Sequence, residues 1–359
     1  MNLRLFKYAS PLLIYMAALF SFFNNGFVVW IPILYAWVLI PLVELFIKSN
    51  EANLSVAEEE LVKNDKKYDL LLYIIVPLQY IALGCFLNSV SFHHQSWIDI
   101  AGKTAVMGLL CGTFGINVGH ELGHRSNKFE QFLAKSLLLS SLYMHFFIEH
   151  NRGHHKRVAT PKDPSSARYG EMVYRFYFRS IIWSYINAWK IANKEASKKG
   201  RAAFSIYNEM IGFQVIQLLF VGMIFFLFGP LTTSLLIVAA INGILLLETV
   251  NYIEHYGLQR KKITNDKYER AMPEHSWNSN HVIGRVMLFE LSRHSDHHYL
   301  ASRKYQVLRH HDNSPQMPTG YPGMMVLSLV PPAWFYVMNK RVEKIKESSQ
   351  VLTTEKSFV

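Results

Sequence analysis

Apolar stretches that approach the length of a membrane span alternate with polar segments along this chain. A transmembrane helix needs about 20 consecutive, mostly apolar residues. Six such stretches cover residues 8–23, 27–47, 69–87, 99–118, 208–228 and 231–250. The fourth contains Lys103 and four glycines; because small residues let helices pack closely, we expect this helix inside the bundle. The pattern predicts an all-α integral membrane protein with six transmembrane helices.

The polar segments differ in charge. The 119–207 loop contains fifteen Lys and Arg residues against six Asp and Glu, and the chain after residue 256 is also basic. The turn at 24–26 and the 88–98 loop contain neither Lys nor Arg. The positive-inside rule therefore places both termini and the long loops in the cytoplasm. There the loops are expected to form a histidine-rich cap.

These patterns divide the chain into five regions. We predict four N-terminal transmembrane helices in 1–118 with a cytoplasmic linker at 48–68, a cytoplasmic loop at 119–207 with an interfacial helix near 130–148, a transmembrane hairpin at 208–250, a cytoplasmic cap at 251–340 and a polar tail at 341–359. The first two histidine clusters fall in the 119–207 loop, and the remaining histidine motifs fall in the cap.

Composition adds two limits. A net charge of +11 is compatible with nucleic-acid binding, but its concentration on one membrane face makes topology the simpler cause. A basic face could still dock an acidic protein partner. The two cysteines, Cys85 and Cys111, lie within predicted spans. Because iron–sulfur clusters are commonly held by four thiolates, the chain is not expected to carry one of its own.

Three histidine clusters stand out among the sixteen histidines. They are HELGH at 120–124, HNRGHH at 150–155 and HSDHH at 294–298. Residues three and four apart share one face of a helix. We therefore expect the histidines of each cluster to bind the same metal ion, and we call such a set a claw. The expected claws are His120 with His124, His150 with His154, and His294 with both His297 and His298. With His155, the three clusters supply eight imidazoles. Eight exceed the four ligands of a tetrahedral zinc and suit two metals, and ligand type alone does not identify the metal.

The positions of these histidines are also informative. His120 comes two residues after the fourth predicted span, and His255 comes five residues after the sixth. The other clusters lie in cytoplasmic segments that can fold back under the bundle. All candidate ligands can therefore converge at one depth, just below the hydrocarbon, where a substrate could arrive from the lipid.

The remaining histidines have simpler interpretations. His93, His94 and His145 are interpreted as surface or packing residues, and His275 and His281 as structural residues or partners of a ligand. The pair at 310–311 is either a surface pair or a partner of the site. None of them is needed to complete the clusters.

Two other classes of protein share parts of this pattern. His-Glu-x-x-His is the signature of a zinc hydrolase with Glu121 as general base, and Glu248 could be a third ligand of an intramembrane zinc protease. That interpretation leaves six clustered histidines without a role. A metal transporter would need ligands deep within spans on both membrane sides, whereas these clusters crowd one face.

Several motifs together resemble one family, the bacterial membrane-bound alkane 1-monooxygenases. They are NVGHELGHR, HNRGHHKR, NYIEHYGLQR, LSRHSDHHY and PQMPTGYPGM. This family is related to the membrane desaturases and to xylene monooxygenase through its histidine boxes. The NYIEHYGL motif distinguishes it from ordinary desaturases and sterol hydroxylases. The resemblance runs from about residue 100 to 325.

The resemblance implies a six-helix enzyme of the bacterial inner membrane with a non-haem di-iron centre. The implied ligands are nine histidines: His120, His124, His150, His154, His155, His255, His294, His297 and His298. The implied reaction uses O₂ to hydroxylate the terminal carbon of a medium-chain n-alkane. Its electrons would come from a separate rubredoxin, reduced by an NADH-dependent rubredoxin reductase. Within the same group, a xylene-type methyl hydroxylase, a fatty-acid ω-hydroxylase or a desaturase remains an alternative.

Four carboxylates stand beside implied ligands. Because metal-bound histidines usually donate their other ring N–H to a partner, Glu121, Glu149, Glu254 and Asp296 are candidates to orient them. The sequence also departs from the family pattern next to the third box, where it reads Leu-Ser-Arg before the histidines and YLASRKYQ after them. These departures bear on the range of substrates.

Overall fold

The computed structural model describes residues 3–91, 95–264 and 267–355, and these residues are helical or irregular. Within these ranges no strand forms, and two isolated bridges join Lys262 to Tyr268 and Asn278 to Gln316. His93 and His94 lie outside the described residues. The all-α prediction is confirmed.

Four helices in the described ranges are long and apolar enough to cross a membrane. They are Arg4–Phe22, Gly26–Glu44, Lys66–Val90 and Glu209–His255. The first three coincide with the first three predicted spans. The second contains a π-helical turn at Tyr35–Leu39. These helices support the interpretation of the chain as a membrane protein.

The fourth of these helices comprises the fifth and sixth predicted spans. Its 47 residues include Gly229, whose φ of 80° and ψ of 178° break the helix before Pro230. Arg152 bonds Glu209 at the start of the element, and the ring of His154 lies 5.0 Å from the ring of His255 at its end. Because both ends reach the same segment, the chain folds back at Gly229.

The fourth predicted span lies inside the bundle, as its glycines indicated. It consists of Trp97–Leu110, a π-helical turn at Cys111–Ile116 and Asn117–Gly123. A methyl group at Gly108 would lie 2.6 Å from Cβ of Asn242, and one at Gly112 would lie 3.0 Å from Cβ of Leu246. The sixth span therefore packs directly on the backbone of this buried helix.

The segments outside the spans form further helices. These are Val56–Asn64, Lys128–Ser140, Phe146–Glu149, His155–Arg157, Val173–Lys198, Val282–Met287, His294–Tyr299, Tyr321–Ser328 and Pro331–Glu355, with 3₁₀ turns at Pro273–His275 and Tyr305–Val307. The stretch predicted as one interfacial helix is divided near Leu142, which has a positive φ of 51°. The segment 341–355 continues the last long helix.

The helix Val173–Lys198 was not predicted from the sequence. It buries mostly small residues at every fourth position, namely Phe176, Ser180, Ser184, Ala188, Ala192 and Ala196. This stripe packs against Phe146–Glu149 and the long hairpin. The helix therefore covers the segment that carries the second histidine cluster.

Candidate metal centre

Nine histidines meet in two adjacent groups where the spanning helices join the cap. Group A consists of His120, His124, His150, His155 and His297, and group B consists of His154, His255, His294 and His298. Within each group the candidate ligand nitrogens all lie within 4.8 Å of one another. The nine residues are those that the family resemblance implied.

Group A is a closed ring of Nε2 atoms. His120 lies 3.1 Å from His124, His124 lies 3.2 Å from His150, and His150 lies 3.0 Å from His155. His297 closes the ring, 3.2 Å from His155 and 3.0 Å from His120. Five imidazoles therefore direct the same nitrogen towards one point.

Group B is more deeply buried. The Nε2 atoms of His154 and His298 lie 3.2 Å apart, as do those of His294 and His255. All four side chains are buried, whereas His124 and His155 of group A are only half-buried. The two groups adjoin through His155 and His298, whose ring centroids are 4.5 Å apart.

The protonation of the rings fits bound metal ions. Burial and neighbouring imidazoles lower the pKa of His124, His155 and His297 well below its usual value, so these rings are neutral. A neutral imidazole has one N–H and one lone pair. Lone pairs that converge from five rings need a shared cation, and imidazole is a ligand for iron, copper, zinc and nickel.

The second histidine cluster does not act as one claw. His150–His154 forms a π-helical turn, in which hydrogen bonds join residues five apart rather than four. His150 therefore meets His155 in group A, while His154 points into group B. The prediction that His150 and His154 form one claw was wrong, although their ring centroids lie 5.2 Å apart.

The third cluster is also divided. His294 and His298, four residues apart, lie in group B, and His297 lies in group A. Side chains on one side of a short helix therefore reach two groups, so the expected three-residue claw was wrong. The pairing of His120 with His124 was correctly predicted, because both lie in group A.

Group B has a carboxylate partner that the sequence analysis missed. Oδ2 of Asp163 lies 2.9 Å from Nδ1 of His154, and Ser166 donates a hydrogen bond to the same oxygen. Burial opposes charge on His154, but Asp163 outweighs it and raises the pKa of this histidine. Asp163 follows His154 by nine residues in a Pro-Lys-Asp-Pro loop, and only its proximity to the cluster could have indicated it.

Glu254 is the one predicted carboxylate that touches a ligand histidine in the described structure. Its Oε2 lies 3.1 Å from Nε2 of His294, the nitrogen that faces group B. The side chain is 1% exposed. The carboxyl group therefore lies beside the donor nitrogens of group B and not on the outer nitrogen of the ring.

The other three predicted carboxylates bind different partners. Glu121 pairs with Arg125 at 2.6 Å and accepts from the Tyr305 amide. Glu149 pairs with Arg157 at 2.9 Å. Oδ1 of Asp296 lies 2.7 Å from Nε2 of His311, which is outside both groups. These carboxylates fix the segments around the ligands rather than the ligand rings.

The remaining described histidines lie outside groups A and B. The ring of His145 packs edge-on against Tyr143 and Tyr185. Nε2 of His275 contacts Glu269 at 3.1 Å, Nδ1 of His281 contacts Ser279 at 3.2 Å, and Nδ1 of His310 contacts Asn280 at 3.0 Å.

An apolar cavity lies between the spanning helices and the cap. Its walls come from the first, second, fourth and sixth predicted spans and from the cap, with Trp37 as the bulkiest lining side chain. Asn117, Val250 and Leu291 line the cavity and precede His120, His255 and His294 of the two groups by three to five residues. At a rise of 1.5 Å per residue, Asn117 and Val250 lie about one to one and a half helical turns from His120 and His255 on the same helices.

A second, basic groove opens beside the second histidine cluster. Its described lining includes nine Lys and Arg residues and a single acidic one, Glu195. The basic residues are Arg152, Lys156, Arg157, Lys162, Lys190, Lys194, Lys198, Arg260 and Lys267. Lys156 directly follows His155, so the groove lies next to a ligand of group A.

The fold and the site define a membrane protein with two adjacent groups of histidines that could each hold a metal ion. The family described as Fatty acid desaturase matches residues 96–328, which include all nine histidines. An alkane 1-monooxygenase of Acinetobacter baylyi is 40% identical over 86% of this chain and 76% of its own length. Alkane 1-monooxygenase 1 of Pseudomonas aeruginosa is 43% identical over 77% of this chain and 72% of its own.

A more distant relative has another name. The hydroxylase component of a xylene/toluene monooxygenase from Pseudomonas putida is 27% identical over 76% of this chain and 73% of its own length. The chain belongs to the fatty acid desaturase family and, within it, to the alkane 1-monooxygenases. The resemblance seen in the sequence motifs is confirmed.

Proposed function

We propose that this chain is a membrane di-iron monooxygenase that hydroxylates the terminal carbon of medium-chain n-alkanes to 1-alkanols. One observation carries the proposal: nine histidines form two groups that could each hold a metal ion, and an apolar cavity is lined by residues three to five positions before three of them. The relatives named alkane 1-monooxygenase support the same reaction. The nine histidines are the proposed ligands of two iron ions.

The metal ions, the histidines and the apolar cavity have different roles in the proposed reaction. An alkane has no acidic or basic group for a side chain to use, so the two iron ions would supply the activation of O₂. The nine histidines would hold the metal ions through Nε2, and Asp163 contacts Nδ1 of His154 so that its Nε2 faces group B. The apolar cavity excludes water and directs one end of the substrate towards the groups.

We propose the bacterial inner membrane as the location and six transmembrane spans as the topology. The three N-terminal helices supply the first three spans, and the buried helix from Trp97 to Gly123 supplies the fourth. The hairpin at Gly229 supplies the fifth and sixth. The concentration of Lys and Arg in 119–207 supports a cytoplasmic cap and cytoplasmic termini. The division at 118, 207, 250 and 340 remains our proposed domain organisation.

We propose a separate rubredoxin, reduced by an NADH-dependent reductase, as the electron donor. The basic groove beside His155 is the surface that supports this proposal, because complementary charge steers the association of proteins. The exposed lysines Lys156, Lys190 and Lys194 face an incoming partner. An acidic donor bound there would lie beside the ligands of both groups.

The zinc protease hypothesis has less support from the geometry. A general base in such an enzyme must be free to act on water beside the metal. Glu121 instead forms a buried ion pair with Arg125. His120 and His124 also lie in a ring of five imidazoles, whereas catalytic zinc keeps three protein ligands and an open position.

The experiment is metal analysis of the purified chain together with an octane assay that contains rubredoxin, reductase and NADH. We expect two irons per chain and 1-octanol as the product. One zinc per chain without oxidation would overturn the proposal. Benzylic alcohol from xylene with no 1-octanol, or an alkene from a fatty acyl substrate, would instead assign the chain to another reaction of the same group.

A further inference from the structure

One buried carboxylate joins the second spanning helix to the cap. Glu44 is the last residue of Gly26–Glu44, and it is 2% exposed. Its Oε1 accepts a hydrogen bond of 2.7 Å from the backbone N–H of Gly284, and the carboxylate also accepts from the N–H of Ile283. Both donors belong to the first turn of Val282–Met287. The spanning helix is therefore attached to a cap helix through backbone groups.

Two glycines make room for this carboxylate. A methyl group at Gly320 would overlap Oε2 of Glu44, and one at Gly284 would lie 3.3 Å from Oε1. Gly320 directly precedes the helix Tyr321–Ser328. Three elements, the second spanning helix and the two cap helices that start beside these glycines, thus meet around one carboxyl group.

Each of these three elements also forms a wall of the apolar cavity. The lining residues are Trp37 and Ile40 from the spanning helix, Met287 from the first cap helix, and Pro322 and Met325 from the second. Ile40 and Glu44 are four residues apart in the α-helical end of this span and share one face, and Trp37 in the preceding π-helical turn lines the same cavity as Ile40. A shift of Glu44 against the cap would therefore move Trp37 relative to Met287 and Pro322.

We propose that Glu44 is a positioning residue that sets the depth of the apolar cavity and, through it, which carbon of the substrate reaches the metal groups. The inference rests on the proposed alkane hydroxylation. The reacting atom must be placed to within about 1 Å, since such a misplacement can cost about 100-fold in rate. Close-packed helices transmit a displacement because interiors have few voids to absorb it.

The first test compares Glu44→Ala with Glu44→Gln in the full-length, iron-loaded protein. Glutamine keeps an oxygen that accepts from Gly284, so it should retain the wild-type ratio of 1-octanol to 2-octanol. Alanine removes the attachment, and we expect this ratio to fall about tenfold with iron content unchanged. An unchanged ratio, or a uniform loss of all products in parallel with iron, would overturn the proposal.

Gly320→Ala tests the same contact from the opposite side, without altering Glu44. Its methyl group would displace the carboxylate, so the product ratio should change in the same direction as in Glu44→Ala. Gly212→Ala is the matched control, because a methyl group there has no neighbour within 4 Å. Equal product ratios in these two glycine variants would contradict the inference.

A measurement that needs no metal separates this inference from the proposed function. Quenching of Trp37 fluorescence by 1-bromooctane reports the distance between the bound chain and the cavity wall. It is obtained as the difference between each protein and its Trp37→Phe counterpart. Glu44→Ala should change this quenching and Glu44→Gln should not. If the wild-type protein forms no alkanol but this pattern holds, the proposed reaction fails while the role of Glu44 stands; equal quenching in both variants overturns that role.

Discussion

Groups A and B use the same side chain but are held in place differently. The five rings of group A contact one another in a closed ring of Nε2 atoms, and two of them are half-buried. The four rings of group B are buried, and the carboxyl groups of Asp163 and Glu254 contact two of them. Group A is therefore held by contacts among its imidazoles, whereas two carboxyl groups also contact group B.

The difference has an electrostatic consequence. A buried cation is costly unless charged or polar groups compensate it. Group A offers only neutral imidazoles and lies closer to solvent. In group B, Asp163 supplies negative charge that offsets part of the cost of a deeply buried metal ion. The two sites should therefore differ in metal affinity and in their response to mutation.

The largest expected effect follows from removal of a ligand. His154→Ala should abolish oxidation and lower the metal content towards one ion per chain, because it removes a group B ligand and leaves Asp163 buried without its partner. His297→Ala should also abolish oxidation, with the ion retained in group B. His281→Ala, which lies outside both groups, is the control. The measurements are alcohol formation and iron content in each variant. Retained activity in His154→Ala would remove His154 from the proposed ligand set.

Asp163→Asn should have the next largest effect. When a metal-bound histidine loses its carboxylate partner, metal affinity or activity typically falls by about 10 to 100-fold. We expect the loss in group B alone, measured by competition with a chelator. Asp312→Asn alters an exposed carboxylate and should change nothing. Equal weakening of both groups would remove the distinction drawn between them.

Glu254→Gln tests whether the carboxyl group that contacts a donor nitrogen of group B contributes to the metal affinity of that group. We expect a loss of group B affinity of roughly tenfold, at the lower end of the range for such partners. Glu121→Gln is the matched control, since Glu121 also adjoins a ligand in sequence but pairs with Arg125. It should lower the melting temperature and leave the metal content intact. If Glu121→Gln lost metal and Glu254→Gln did not, the geometric assignment would be reversed.

The smallest expected effect concerns the delivery of electrons through the basic groove beside group A. Lys194→Glu in the basic groove should raise KM for rubredoxin roughly threefold to fivefold at low salt, and the difference should vanish at high salt. Lys344→Glu, an exposed change on the last helix, should leave KM unchanged. Equal KM values for the two variants would place the docking surface elsewhere.

Sequence patterns predicted which residues form the site better than they predicted how those residues are arranged. Apolar stretches predicted the spanning helices, and four glycines predicted the burial of the helix from Trp97 to Gly123. The histidine motifs predicted all nine members of the two groups through the family resemblance. These features are local in the chain, so a pattern can express them.

The division of the histidines and the role of Asp163 are not local. The distribution of His150, His154 and His155 between the groups depends on a π-helical turn that ordinary helical spacing does not indicate. Asp163 reaches His154 only because the following loop folds back. The helix Val173–Lys198 was missed although its small buried residues recur every four positions, a period that analysis of apolar stretches overlooks.

The π-helical turn at His150–His154 also bears on how many ions this segment can bind. Such a turn is equivalent to an ordinary helix that has gained one residue. In an uninterrupted α-helix, residues 150 and 154 would serve the same ion, and residue 155 would be rotated away by about 100°. The extra residue instead sends neighbouring side chains to different histidine groups. A one-residue change in length therefore lets a single helical segment contribute to both groups, and we expect that shortening this turn by one residue would alter the metal stoichiometry without removing any histidine.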